Sequence, residues 1–179
     1  MRGEVDRGAE APRELTAEPL TAEAFAPFGE VIEAGDDAYS INGGLARRRD
    51  QAARLDVDAA GGRLRLGVVR AAPFSLPLPV TLLERHPLGS QAFVPMTSPR
   101  FLVVVAPAGG LPRAEDVRAF IAEAGQGVHY RRGVWHRPLT PLDRCADFLV
   151  LDREGPAGES AGENVEETTL DRALVVRAI

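Results

Sequence analysis

The stretch Val80-Thr81-Leu82-Leu83-Glu84-Arg85-His86-Pro87-Leu88-Gly89-Ser90-Gln91-Ala92-Phe93-Val94-Pro95-Met96 reads as a strand, a tight turn and a return strand. Its first half is aliphatic and β-branched, the Pro-Leu-Gly-Ser segment supplies turn residues, and the chain is apolar again from Gln91 to Met96. Side chains alternate along a strand, so Val80, Leu82, Glu84 and His86 are expected on one face. Two apolar residues at the head of that line point it inward and carry a carboxylate and an imidazole with them. Burying an unpaired carboxylate is costly, so Glu84 must be paired, metal-bound or protonated. Gln91, opening the return strand, is placed to join them.

The same period continues on both sides. In Arg63-Leu64-Arg65-Leu66-Gly67-Val68 the apolar residues fall on one face and the arginines on the other. Phe101-Leu102-Val103-Val104-Val105 is continuously apolar, as expected of a strand covered on both faces. Further strands are expected at Glu14 to Glu18, Gly29 to Glu33, Val128 to Tyr130, Val134 to His136, Phe148 to Leu151 and Leu170 to Val176. Helices are few: a short one over Ala22 to Ala26, capped by Thr21, and one over Glu115 to Ala124. In the latter, Val117, Phe120, Ile121 and Ala124 recur at helical spacing before Gly125. Ile41-Asn42-Gly43-Gly44 and Gly155 to Glu163 read as loops. Many short strands with turn signals between them predict a mainly β fold, a barrel or sandwich with a few short helices.

At 179 residues the chain is long enough for one domain, expected over 14–179 behind a flexible tail over 1–13. A net charge of -5 argues against a nucleic-acid surface. All 21 basic residues are arginine, which removes Schiff-base chemistry but suits carboxylate substrates. Cys145 is the single cysteine, so neither a disulfide framework nor a thiolate cluster is available, and a packed thiol is expected. The first fifteen residues lack an apolar signal region, and the longest apolar run, Phe101 to Pro107, is too short for a membrane span; a cytoplasmic protein without membrane or nucleic-acid partners is expected.

The segment Gly125 to His136 resembles the second motif of the cupin superfamily, which hangs one histidine on a barrel strand. Gly125, Gly133 and His136 fit its spacing, whereas Arg131 stands for its proline and Thr140 for its later asparagine. The first motif is then altered, with Glu84 where one histidine is usual, His86 as the other, and Gln91 in the place of a glutamate. Glu84, His86, Gln91 and His136 would form the set available to a divalent metal.

Longer stretches are more specific. Glu84 to Met96 resembles the signature segment of the ureidoglycolate lyase family. So do Phe25-Ala26-Pro27-Phe28-Gly29-Glu30-Val31-Ile32, Ile41 to Arg48, Arg118-Ala119-Phe120-Ile121, Gly125 to Val128, Gly133 to Leu139 and Asp147 to Arg153. The resemblance spans Leu15 to Arg153, with His129 where the family usually has Asn and Arg137 where a second histidine commonly follows. It implies a cupin-like homodimer that splits (S)-ureidoglycolate into glyoxylate and urea in allantoin breakdown, with nickel as the associated metal and no organic cofactor.

Such a cleavage needs a base for the hydroxyl proton and an acid for the departing nitrogen. Glu84, His86 and His136 are the expected catalytic residues: either histidine as base, with Glu84 orienting it or acting as acid through a carboxyl raised by burial. Asn42 and Arg48 are the expected partners of the substrate carboxylate, Gln91 lies alongside, and Tyr130 and Trp135 form walls. His129 is expected to be structural or on the surface. Two other readings fit the residues, another cupin-type enzyme acting on a small hydroxy acid and a non-catalytic domain that binds a small carboxylate.

Overall fold

The computed structural model describes residues 11–50, 54–159 and 161–178. In chain order the strands are β1 (Arg13–Thr16), β2 (Glu18–Pro19), β3 (Gly29–Ile32), β4 (Tyr39–Ile41), β5 (Ala46–Arg48), β6 (Arg63–Ala71), β7 (Leu78–Arg85) and β8 (Gln91–Pro95). They continue with β9 (Phe101–Ala106), β10 (Arg118–Ala122), β11 (Gly127–Tyr130), β12 (Trp135–His136), β13 (Thr140–Pro141), β14 (Ala146–Glu154) and β15 (Glu166–Arg177). The helix α1 (Ala22–Phe25) is capped as expected, Thr21 Oγ1 accepting from Ala24 N at 3.2 Å. Most of the expected tail lies outside the described residues, and Arg13 already pairs within β1. No helix among the described residues is long and apolar enough to cross a membrane.

The larger sheet runs β1-β15-β7-β12-β9-β10-β2, with β13 also on β9. Its two ends are consecutive in the chain. β1 pairs in parallel with β15, and after Ala17 the same segment pairs as β2 with β10. Ala17 N donates to Arg177 O and Leu20 N to Ile121 O, both at 2.9 Å. One N-terminal segment therefore joins both edges and rolls the sheet into a barrel, which leaves neither edge open. Leu78, Val80, Leu83, Leu102, Val104 and Trp135 are among the side chains of its interior.

The smaller sheet, β3-β11-β8-β14-β6, stacks on the outside of this barrel. Val31, Phe93, Val128, Tyr130, Phe148 and Val150 from it meet Phe101, Val103, Val105 and Phe120 from the barrel in a second core. Strand β9 thus alternates between two cores and is buried along its whole length, as its unbroken apolar sequence predicted.

Three sequence expectations are corrected. The helix over Glu115 to Ala124 is a 3-10 turn, Ala114–Asp116, followed by strand β10, which pairs antiparallel with β9. Ala119 faces the barrel and Phe120 and Ala122 the second core. A strand covered on both sides carries apolar residues at successive positions and so imitates a helical stripe. Second, Val80 and Leu83 both enter the barrel interior, so the alternation does not run unbroken from Val80 to Glu84. Partner strand β15 holds extra residues between Thr169, opposite Leu82, and Leu174, opposite Val80. This bulge changes which face follows, and Glu84 looks away from the barrel interior that Val80 fills. Third, Cys145 is exposed, immediately before the start of β14.

Phe120 packs edge-on to Phe25 at 5.9 Å between ring centroids and lies 6.2 Å from Phe28. Phe120→Ala is expected to lower stability by about 3–5 kcal/mol in urea unfolding. A cost under ~1 kcal/mol would show that this core tolerates a cavity.

Candidate active site

Glu84 near the end of β7 stands directly opposite His136 of β12, and His136 stands opposite Val105 of β9. Cross-strand neighbours share a face, and Val105 belongs to the core between barrel and smaller sheet. Glu84 and His136 therefore project toward the smaller sheet. Trp135, one residue earlier, turns into the barrel, where its Nε1 donates to Gly110 O at 2.9 Å and Arg85 covers its ring. Its place is behind the site, on the opposite face of the strand.

The rest of the group is set by two turns. Gly133, at φ 77°, makes the left-handed bend before β12, and its N donates to His86 O at 3.0 Å. That bond ties the turn before His136 to the backbone of His86. The imidazoles of His86 and His136 lie 5.3 Å apart between centroids. From the smaller sheet, Tyr130 stacks on His136 at 4.3 Å with 13° between planes. Gln91 pairs with Tyr130 across β8 and β11 and shares its face.

The hydrogen bonds decide which atoms are free. His136 Nδ1 lies 3.0 Å from Val134 O, and His86 Nδ1 lies 2.8 Å from Asn164 O. A carbonyl only accepts, so each Nδ1 carries the proton and each neutral ring presents its Nε2 lone pair. Both Nε2 atoms, and Gln91 Oε1, are buried without a hydrogen-bond partner among the described residues. His136 Nε2 is 3.5 Å from Glu84 Oε1, and one ligand atom from each of Glu84, His86 and His136 lies within 4.8 Å of the others. Acceptor lone pairs converge here without a hydrogen-bond partner among the described residues, the demand that a divalent cation or a proton meets. The set fits a divalent metal.

Burial pushes the Glu84 carboxyl up, but the hydrogen bond and charge of His136 once it is protonated, with the charge of a protonated His86, outweigh it and hold the group below its ordinary value. The expected raised carboxyl is thus corrected: the two imidazoles beside it, when protonated, favour the carboxylate. Burial, reinforced by the charge of His136, lowers His86. Burial and the charge of Glu84 push the Tyr130 phenol up, so it stays protonated.

Of the residues expected at the site, the structure brings together Glu84, His86, His136 and Tyr130, with Gln91 on the same face as Tyr130. It does not bring Asn42 or Arg48 to them. Both are exposed on the β4–β5 hairpin, which pairs with no third strand among the described residues, and Arg48 Nε donates to Asp50 at 2.6 Å. His129 is buried on the face of β11 opposite Tyr130 and Val128, its Nε2 without a hydrogen-bond partner among the described residues. Arg137 donates from Nε to Thr140 Oγ1 at 3.1 Å and lies over the Phe74 ring.

Sequence reasoning missed the cavity beside His86, about 350 Å³, lined among others by Arg65, Asp152, Arg153, Glu159 and Asn164. Arg65 binds Asp152 through Nε at 2.9 Å and Nη2 at 2.7 Å. Buried Arg153 holds Glu159 with both Nη atoms, at 2.5 and 2.9 Å, and anchors the glycine-rich loop. The alternation Arg63-Leu64-Arg65-Leu66 held a signal for Arg65 but could not say which face turns toward the neighbouring sheet.

A family model described as ureidoglycolate lyase matches residues 12–177. A ureidoglycolate lyase of Burkholderia mallei (strain NCTC 10229) is 49% identical over 161 residues, covering 89% of this chain and 91% of that protein. One from Azotobacter vinelandii (strain DJ / ATCC BAA-1303) is 49% identical over 156 residues, with 87% and 91% covered. One from Burkholderia cepacia is 51% identical over 144 residues, with 79% and 81% covered. The matched span runs from the strand that closes the barrel to the strand that flanks β7 and takes in every residue of the lone-pair cluster: the chain belongs to the ureidoglycolate lyase family.

Proposed function

We propose that this chain is a carbon–nitrogen lyase that cleaves (S)-ureidoglycolate into glyoxylate and urea, and that Glu84, His86 and His136 form its reacting centre. The convergence of an ionised carboxylate and two imidazole lone pairs at the margin of a core carries the reading. Ureidoglycolate bears a hydroxyl, a carboxylate and a urea nitrogen on one carbon. Cleavage moves a single proton: it leaves the hydroxyl as the C=O double bond forms, and reaches the nitrogen as the C–N bond breaks. No covalent intermediate is needed, which agrees with the absence of lysine.

Glu84 is the better base, since its neighbours keep it ionised. The carboxylate takes the hydroxyl proton, His136 Nε2 beside it shares the load, and the pair returns the proton to the departing urea nitrogen, ending as it began. Each well-placed transfer is worth on the order of 10² to 10⁴ in rate. A divalent cation held by Glu84, His86 and His136, with Gln91 as a fourth donor, would supply Lewis acidity at the substrate oxygens, and nickel is the ion that the family resemblance suggests. Tyr130 walls the site above His136, and Trp135 braces its strand from behind. For the substrate carboxylate we favour Arg65 over Arg48 and Asn42, because Arg65 lines the cavity at His86 and Asp152 holds its fork in place while Nη1 faces no described acceptor.

The chain is further proposed to act as a homodimer through the outer face of β6. This strand is an edge of the smaller sheet, bonded among the described residues only to β14, and Leu64, Leu66 and Val68 on one of its faces are 50, 65 and 60% exposed. An apolar face on a long free edge invites pairing across a two-fold axis.

Three outcomes are expected. Purified protein supplied with Ni²⁺ releases urea and glyoxylate from (S)-ureidoglycolate, and His136→Ala or Glu84→Ala lowers kcat/KM by at least about 10²; a loss of only a few-fold removes that residue from the centre. Arg65→Ala raises KM on the order of tenfold while Arg48→Ala changes it less than about twofold; the reverse order returns the role to Arg48. Leu66→Asp converts a dimer to a monomer in sedimentation, and an unchanged mass rules out this face.

A further inference from the structure

We propose that Asn164 is a positioning residue that sets which nitrogen of His86 faces the reacting centre, a step that rests on reading Glu84, His86 and His136 as that centre. The two imidazoles look alike but are held differently. His136 Nδ1 donates to the carbonyl of Val134, two residues earlier on the same short segment, so its partner is fixed by the local backbone. His86 Nδ1 donates to the carbonyl of Asn164, 78 positions away in sequence. That carbonyl comes from a distant segment, so its place is not set by the backbone adjoining the ring.

What holds it is the side chain of the same residue. Asn164 Oδ1 accepts from Leu88 N at 2.8 Å, so Asn164 grips the chain at two points, one on each side of Pro87. The backbone carbonyl reads the imidazole, and the side-chain carbonyl locks the distance between the two segments. Asn164 ends the 3-10 turn Ala161–Asn164, closed by Val165 N donating to Gly162 O at 3.3 Å, and is itself buried. It lines the cavity beside His86.

A neutral imidazole carries one N–H, and the bond it makes on one side decides the lone pair on the other. With Nδ1–H given to Asn164, Nε2 is left for the centre, and it is one of the buried atoms without a partner. Should the carbonyl drift, the Nδ1–H tautomer loses its preference and the ring its orientation. Groups that orient a ligating histidine in this way are typically worth 10–100-fold in metal affinity.

The test compares the full chain with Asn164→Ala, which keeps the carbonyl but loses the grip on Leu88, and with Asn164→Asp, which keeps an acceptor for it. Long-range ¹H–¹⁵N correlation in the metal-free protein reports the proton position on each of only three histidines. The wild type is expected to show His86 as the Nδ1–H form, Asn164→Ala a mixture, and Asn164→Asp the wild-type form. Ni²⁺ affinity by chelator competition should fall roughly 10–100-fold in Asn164→Ala and stay within about threefold in Asn164→Asp. A wild-type His86 protonated on Nε2 overturns the proposal without any variant. So does a folded Asn164→Ala with unchanged tautomer and affinity. If the tautomer and metal results hold but ureidoglycolate is not cleaved, the assigned reaction fails and the positioning role stands.

Discussion

The register between β7 and β12 is the constraint on which the site depends. Glu84 and His136 are direct partners across the barrel wall, and the next partner along the row is Val105. That row faces the second core, so the carboxylate and imidazole lie at its margin, between barrel and smaller sheet. A slip of one residue would turn His136 into the barrel and send Trp135 to the smaller sheet. Trp135 opposes such a slip from within: its indole is buried, bonded to Gly110 O and covered by Arg85. The tryptophan next to the reacting histidine is thus a register lock.

The barrel in turn depends on its first strand. Segment Arg13–Pro19 touches both sheet edges, and Ala17 at the crossing is wholly buried. Closure there fixes β15 beside β7. It also fixes the approach of Asn164, which precedes β15, to His86, which follows β7. The N-terminal segment therefore bears on the site without contacting it. The bulge in β15 has a comparable effect. By absorbing extra residues between its pairings with Leu82 and Val80, it lets β7 give Val80 and Leu83 to the barrel and Glu84 to the opposite side.

Much of this was legible in the sequence, and the failures share a cause. The strand–turn–strand from Val80 to Met96, the doubly buried β9 and the pair Glu84 and His86 follow from local spacing and turn chemistry, whereas His136 was joined to them by the family resemblance. Which way a face points is not local. The pleat of β7 is set by a bulge on another strand, so Glu84 was correctly grouped with His86 but wrongly with Val80. Strand β10 imitated a helix because both its faces are covered. In β6 both lines are largely exposed, the aliphatic Leu64, Leu66 and Val68 included, and Arg65 of the alternate line reaches the cavity. Glycines near Arg48 signalled backbone freedom, which is not proximity. Asn164 had no local signal, since its partners are 76 and 78 residues away.

The protonation pattern links this architecture to chemistry. Both Nδ1 atoms are committed to backbone carbonyls, so any group entering the centre meets two imidazole lone pairs and a carboxylate. Once protonated, each imidazole draws Glu84 toward its ionised form against the cost of burial. A centre arranged in this way accepts positive charge or a proton and has little to donate until it has taken one up. That polarity suits a reaction whose first need is to remove a hydroxyl proton and whose second is to hand the same proton on. It suits less well a reaction that must begin by protonating its substrate, for which the raised and buried carboxyl expected from sequence would have been the better instrument.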